Sequence, residues 1–176
     1  MRILLLSPAL LLAAPALAQD PASDPKCATV RPAFPAGFGG WSTRVPLSAG
    51  ASPRTAPVLA VGRGADLSLH PIAQVAPVAP WGKVPAADAS AGLAMFQVAH
   101  AGTYRVALGC PAWVDVVRAG KPMAAVAHGH GPACTGIRKI VDFRLRPGRY
   151  VLQLSGGGMA SLPVLIAQGP NKGRAA

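Results

Sequence analysis

Two histidines separated by one glycine are the clearest candidates for chemistry in this chain of 176 residues. Residues two apart on a β-strand point to the same side, so the imidazoles of His128-Gly-His130 can both reach one metal ion. Imidazole suits iron, copper or zinc, and His100 is the candidate third ligand, with His70, Asp142 or a cysteine as alternatives. Because a His-x-His pair alone is a weak motif, two solvated histidines in a glycine-rich loop remain the competing interpretation.

A tryptophan and a carboxylate two residues apart indicate a ligand-binding surface. In the strand predicted over residues 112–117, alternate valines occupy one face, so Trp113 and Asp115 share the other. We expect Arg105 of a neighbouring strand beside them. An indole next to a carboxylate and a guanidinium is a platform for a sugar or a polymer. The alternative is that the amino-terminal segment covers this face and buries the indole.

The positive charge of the chain favours anionic partners. Lys and Arg together number seventeen against six acidic residues, all Asp, which gives a formal net charge of +11. Arg138, Arg144, Arg146 and Arg149 predict a cationic stripe along one hairpin that binds an anionic envelope component, such as an acidic glycan or a lipid head group. A merely solvated basic face is the alternative. The expected export and the few aromatic residues disfavour nucleic acid as a partner.

Short alternating runs, interrupted by Gly and Pro, predict an all-β fold, either an antiparallel β-sandwich or a jelly roll. No segment keeps a helical period over about twelve residues, because Gly or Pro intervenes almost everywhere. The predicted strands cover residues 58–61, 65–70, 73–78, 93–99, 103–108, 112–118, 123–127, 137–145, 150–154 and 162–167.

Two segments, 96–108 and 143–154, repeat one pattern. Each consists of a strand, a turn with glycine, and a second strand that carries a tyrosine near its start, Tyr104 or Tyr150. Glycine supplies the backbone freedom that a tight turn needs, and a tyrosine can cover the turn while its hydroxyl stays in water. The pattern therefore predicts two β-hairpins.

The amino terminus predicts export. A single Arg2 precedes an apolar run that ends in Ala16-Leu17-Ala18, which is typical of a signal peptide cleaved after Ala18. Later apolar runs are all interrupted by Pro, Gly or charged residues, so we expect no transmembrane segment after cleavage and a periplasmic or secreted protein.

The remaining chain is divided by its composition. Proline and glycine predict an irregular strap over residues 19–56, with at most a short strand and with Trp41 attaching it to the core. The β-sandwich is predicted over 57–169 and a disordered tail over 170–176.

Three cysteines, Cys27, Cys110 and Cys134, allow one disulfide bond at most in an oxidising compartment. We favour Cys27 with Cys134, since that bond would attach the strap to the body of the domain. A bond between Cys110 and Cys134, or none at all, remains open.

The chain resembles two groups of secreted proteins, one in its second half alone and the other over most of the mature chain. Its glycine-tyrosine turns are similar to those of pre-peptidase carboxy-terminal sandwich modules. More extensively, the chain resembles small exported proteins of sphingomonad-type bacteria, some of which carry the label homogentisate 1,2-dioxygenase. The segments that carry this resemblance are 101–108, 112–115, 128–132 with Cys134, 137–139 and 147–154.

The dioxygenase label implies a cupin fold with iron held by two histidines and a glutamate. His128 and His130 match the histidines, but the sequence has no glutamate and its next carboxylate is Asp142. We therefore expect a non-catalytic exported β-sandwich that binds or supports an envelope component. A metal-dependent enzyme of dioxygenase type, using His128 and His130, is the alternative.

Overall fold

The computed structural model describes residues 25–170, which form two β-sheets packed face to face. The predicted signal peptide, the start of the strap and residues 171–176 of the predicted tail lie outside the described residues. The strands are β1 (Gly40–Ser48), β2 (Arg63–Ser68), β3 (His70–Pro71), β4 (Ser90–Val98), β5 (Gly102–Leu108), β6 (Ala112–Arg118), β7 (Lys121–Pro122), β8 (Ala125–Gly129), β9 (Lys139–Leu145), β10 (Gly148–Gly156) and β11 (Ser161–Gln168).

The prediction of an all-β sandwich is confirmed. The six-stranded sheet has the order β1-β2-β11-β5-β9-β8, and the five-stranded sheet has the order β3-β4-β10-β6-β7. Strand pairs within both sheets are antiparallel, except for the parallel pair β1 and β2. Within residues 25–170, no helix is long and apolar enough to cross a membrane.

Alternation along the strands builds the core between the sheets. In β10, Tyr150, Leu152 and Leu154 face inwards, and in β9 the inward residues include Phe143 and Leu145. All five side chains are at most 2% exposed. Burying each of the aliphatic or aromatic side chains stabilises the fold by about 1.5–3 kcal/mol, which explains why the period of two in the sequence selects this architecture.

The part of the strap around Phe38 covers the outer face of the six-stranded sheet, whereas its end, over residues 50–56, contacts β4 of the five-stranded sheet. Phe38 and Trp41 pack there against Ile140 and Leu165, and Trp41 is only 2% exposed, which confirms its predicted attachment to the core. The latter half of the strap is more regular than we expected, because β1 spans nine residues. Pro46 does not prevent this strand: β1 lies at the sheet edge, where a missing N–H leaves no neighbouring strand unpaired.

Two predicted strands do not form ladders. Residues 73–78 include the end of a short 3-10 helix, Ile72–Gln74, and then an irregular segment, while Val58 makes only an isolated bridge to Met95. The backbone N–H group of Val78 donates to a side chain, that of Gln153, at 2.6 Å instead of to a strand. Leu59 packs in the core between the sheets, and Val75 packs against Ala91 and Leu93 of β4, so both runs bury apolar side chains without forming a ladder. An apolar run alone does not distinguish such a segment from a strand.

The two predicted hairpins are instead crossings between the sheets. β4 lies in the five-stranded sheet and β5 in the six-stranded one, while β9 and β10 cross in the opposite direction. The crossings lie side by side, because β5 pairs with β9 and β4 pairs with β10. A tight hairpin would have paired the strands within each repeat, so the hairpin prediction is wrong at both places.

Both tyrosines of the chain fasten these crossings. The hydroxyl of Tyr104 donates to the carbonyl oxygen of His100 at 3.0 Å, and that of Tyr150 donates to the carbonyl oxygen of Arg146 at 2.9 Å. In each case the acceptor lies four residues upstream, which is the geometry of a tyrosine corner. The hydroxyls are therefore bonded to the backbone of the crossing, which differs from the expected role of a hydroxyl left in water.

We predict that Tyr150→Phe lowers the free energy of unfolding by about 2 kcal/mol and Tyr104→Phe by about 1 kcal/mol. The larger loss is expected at Tyr150 because its hydroxyl also accepts from the N–H group of Arg146 at 3.2 Å and from the guanidinium of Arg118 at 3.3 Å. Urea unfolding of the two variants measures both values. An unchanged unfolding midpoint for Tyr150→Phe would contradict this role of the corner.

Candidate functional site

A cleft of about 770 Å³ at one end of the sandwich brings together two of the predicted site elements. It contains Trp113 together with His128 and His130. The sequence pattern assigns Trp113 to a ligand-binding surface and the two histidines to a metal site. The cleft lies where β6 and β9 begin and where β8 and β10 end. Its other lining residues are Lys83, Val84, Pro85, Ala86, Ala89, Pro111, Ala112, Gly129, Arg138, Lys139, Ser155, Gly156 and Gly157.

One wall of the cleft is the loop before β4, which Gln153 holds against the sheet. The side-chain oxygen of Gln153 accepts from the N–H groups of Val78 and Ala79, at 2.6 Å and 2.9 Å. Its side-chain nitrogen donates to the carbonyl oxygen of Ala79 at 3.2 Å. Gln153 is fully buried, so these bonds replace the water that its amide would otherwise bind.

Asp115 extends this attachment and fixes the tryptophan. Its carboxylate accepts from the N–H group of Gly82 at 3.0 Å and from the indole N–H of Trp113 at 2.9 Å. Asp115 lies directly opposite Gln153 in the ladder of β6 and β10, so two neighbouring side chains anchor the whole loop. The indole is 38% exposed, and its orientation is set before any ligand arrives.

Gly82 permits this close approach. A Cβ atom at position 82 would overlap the carboxylate of Asp115 and would lie 2.8 Å from the indole nitrogen of Trp113. A side chain would therefore push the loop away from both partners. Glycine is required at position 82 because the neighbouring sheet leaves no space for a side chain. A positive φ is not the reason, because the backbone of Gly82 does not have one.

The opposite wall comes from β8, β9 and the loop between them. A disulfide bond between Cys27 and Cys134, with a sulfur–sulfur distance of 2.08 Å, ties this loop to the strap and confirms the favoured pairing. Thr135 adds local support, because its hydroxyl donates to the carbonyl oxygen of Pro132 at 2.7 Å and accepts from the N–H group of Ile137 at 3.2 Å. The third cysteine, Cys110, is partly buried against the main core.

The charge of the cleft is positive. Lys83 lies on one wall, and Arg138 and Lys139 lie on the other. The Lys139 ammonium group lies 5.3 Å from the centre of the Trp113 ring, within the range of a cation–π contact. Among the described residues, no carboxylate is part of the lining, and the nearby Asp115 is buried and occupied by its two hydrogen bonds. The arrangement therefore suits an anion that also has a flat surface for the indole.

Arg105 is not beside Trp113, so that part of the predicted platform is wrong. Arg105 belongs to the six-stranded sheet, where it contacts Asp142 at 3.4 Å and lies 5.1 Å from the centre of the Phe38 ring. Trp113 belongs to the other sheet. The predicted burial of the indole under the strap is also wrong: Phe38 and Trp41 of the strap pack on the other sheet, the end of the strap meets β4, and the ring stays partly exposed.

The predicted cationic stripe is divided into three parts. Arg138 lines the cleft, whereas Arg144 and Arg146 line a second groove together with Arg105. Arg149 lies on β10 in the five-stranded sheet, away from this groove. The chain changes sheets at Pro147 and Gly148, and this crossing separates arginines that a hairpin would have aligned.

The described residues do not assemble the predicted metal ligands. His128 lies opposite Val141 on β9, whereas His100 precedes β5, whose Gly102 lies opposite Leu145 at the other end of β9. Val141 and Leu145 are four residues apart, so these two positions on β9 lie about 13 Å apart along the strand. Within residues 25–170, no three His, Cys, Asp or Glu side chains form a group that could hold a metal ion. Metal binding by His128 and His130 therefore remains a prediction from the sequence.

Sequence patterns do not indicate Lys83 or Lys139 as site residues. Lys83 lies in a loop without periodicity, and its position depends on hydrogen bonds to Gln153 and Asp115, which lie far along the chain. One signal was available: Asp115 and Gln153 are polar residues within otherwise apolar strands, and a buried polar residue needs a partner.

No protein-family model and no curated protein sequence matches this chain.

We predict that Gly82→Ala separates the loop from Asp115 and lowers the free energy of unfolding by about 2 kcal/mol, since one or both of the carboxylate's hydrogen bonds are lost. Gly39→Ala is the matched control, because a Cβ atom there meets nothing within 4 Å. Urea unfolding gives the stability, and susceptibility to proteolysis near residue 82 reports loop release. Equal behaviour of the two variants would show that the close approach at Gly82 is unimportant.

Proposed function

We propose that this protein is an exported, non-catalytic binding protein. It holds an acidic glycan in the cleft lined by Trp113, His128 and Lys139, which we call the end cleft. The observation that carries the proposal is the composition of that cleft: a fixed indole, three cationic side chains and two imidazoles, with no carboxylate in the described lining. A sugar ring offers an apolar face for the indole, and its carboxylate or sulfate groups offer acceptors for the cations. The periplasm or the cell exterior is the proposed location.

The preformed state of the cleft supports binding. Trp113 is held by Asp115 at 2.9 Å, so stacking a ligand on the indole costs little side-chain entropy. Lys83 and Arg138 approach from opposite walls, which allows one ring to receive charged contacts from two sides.

The distribution of apolar surface favours a glycan over a membrane surface. Val84 and Trp113 both line the cleft, and the other exposed large hydrophobic residues of the described chain lie in separate places: Val30, Val45, Val58 and Val126. Scattered single apolar residues are usual on protein surfaces, whereas docking on a membrane requires a joined apolar patch. A recess that contains an indole and charged side chains fits a polar ligand with a ring better than it fits a membrane surface.

The location outside the cytoplasm is supported by two independent features. The amino-terminal sequence follows the pattern of a cleaved signal peptide. Cys27 and Cys134 form a disulfide bond, which is typical of an oxidising compartment.

We predict that a short galacturonate oligomer binds the wild-type protein at low ionic strength and that its methyl-esterified form does not, because esterification removes the charge and keeps the ring. Lys139→Gln and Lys83→Gln are each expected to weaken binding about tenfold, since a hydrogen bond to a charged group contributes roughly 1.5–3 kcal/mol. Isothermal titration calorimetry measures each dissociation constant.

The matched control is Lys121→Gln, which removes an equal charge from β7, outside the cleft lining. It should leave the affinity for the short oligomer within about twofold, since the contribution of an exposed, distant charge is small. Equal weakening by Lys121→Gln and Lys139→Gln would contradict a specific site and indicate attraction by net charge alone. Tight binding of the methyl ester would contradict the role of the cations.

A further inference from the structure

We infer that the ligand is an extended acidic polysaccharide that occupies the end cleft and the second groove at once, running along the edge strand β8. This inference rests on the proposed function of the end cleft. It adds a second binding site, formed by Arg105, Arg144 and Arg146, and it specifies a polymer in place of a small sugar.

The second groove, of about 1090 Å³, lies near the opposite end of β9. Arg144 and Arg146 line it and are exposed. The carboxylate of Asp142 also lines the groove, but it is paired with Arg105 at 3.4 Å, so its charge is partly neutralised. Arg105 is in turn held over the Phe38 ring at 5.1 Å. The groove thus combines one fixed guanidinium with two exposed ones.

The edge strand β8 connects the two sites. Val126 lines the groove, while His128 and Gly129 line the cleft. All five residues of β8 are exposed, and none carries a carboxylate. Because β8 is the last strand of its sheet, one side of its backbone is open to hydrogen bonds from hydroxyl groups.

The separation of the sites determines the length of the ligand. Lys139 is a cation of the cleft and Arg144 is a cation of the groove, and they stand five residues apart on β9. Five residues along a strand correspond to roughly 17 Å, so only a ligand of at least about that length can contact these cations of both sites at once. Once one site is occupied, the second contact becomes intramolecular, and linked sites of this kind can raise affinity by roughly 10²- to 10⁴-fold.

A polysaccharide fits this path better than a nucleic acid. Single-stranded nucleic acids are held by stacking of bases on aromatic side chains. β8 has the sequence Ala-Val-Ala-His-Gly and offers no Phe, Tyr or Trp for stacking, whereas its open backbone can serve sugar hydroxyls.

The test is a series of galacturonate oligomers of increasing length, measured by calorimetry with the full mature chain. For the wild type, the affinity should rise at least about tenfold once the extended oligomer exceeds roughly 17 Å. The double variant Arg144→Gln/Arg146→Gln should bind the short oligomer like the wild type and lose the rise. The double variant Lys121→Gln/Arg149→Gln removes the same charge and is the matched control; it should keep the rise, because both residues lie on the other sheet.

The outcomes separate the two proposals. If no oligomer of any length binds, both the proposed function and this inference fail. If the short oligomer binds and the affinity does not rise with length, or if the rise persists in the double variant, only the inference of a second site fails. Tighter binding of a single-stranded oligodeoxynucleotide of equal extended length would overturn the assignment to a polysaccharide.

Discussion

Gln153 and Asp115 lie opposite each other on β10 and β6, and together they hold the loop that forms one wall of the cleft. Both side chains are buried, and each would be costly to bury without a partner. The N–H groups of Val78, Ala79 and Gly82 supply the partners. The loop and the polar pair therefore depend on one another: without the loop the pair would have to be solvated, and without the pair the loop would have no fixed position.

The same pair connects the core to the proposed chemistry. Asp115 anchors the loop with one oxygen and orients the indole of Trp113 with the other, at 2.9 Å. Lys139 then reaches the indole from the second sheet. This contact requires the two sheets to keep their relative position. The crossings that Tyr104 and Tyr150 fasten join the same two sheets near the far end of β9. Packing at one end of the sandwich thus supports a cleft at the other.

The sequence predicts strands well where a period of two extends over several residues, as in β6 and β9, because burial of one face enforces that period. It does not predict which strands pair. The local pattern of strand, glycine and strand fits both a hairpin and a crossing between sheets. The hairpin and the crossing differ only in their long-range contacts. This ambiguity explains why Arg144 and Arg149 were expected on one surface and lie on different sheets.

The candidate site was predictable in part. Trp113, His128 and His130 were identified by residue type, but no local pattern shows that a strand start and a strand end meet in one cleft. Lys83 could not be found in this way, since its position depends on the distant Gln153 and Asp115. The disulfide was predictable because only three cysteines limited the choices, and the Gly- and Pro-rich loop around Cys134 allowed the geometry.

The indole N–H signals in a two-dimensional NMR spectrum test the central claim most directly, since the chain has only three tryptophans. Titration with a short galacturonate oligomer should shift the signal of Trp113 progressively and leave that of Trp41 in place, because Trp41 is buried against the six-stranded sheet at 2% exposure. The methyl-esterified oligomer should shift neither signal. Saturation of the protein with the charged oligomer while the Trp113 signal stays unchanged would contradict binding in the end cleft.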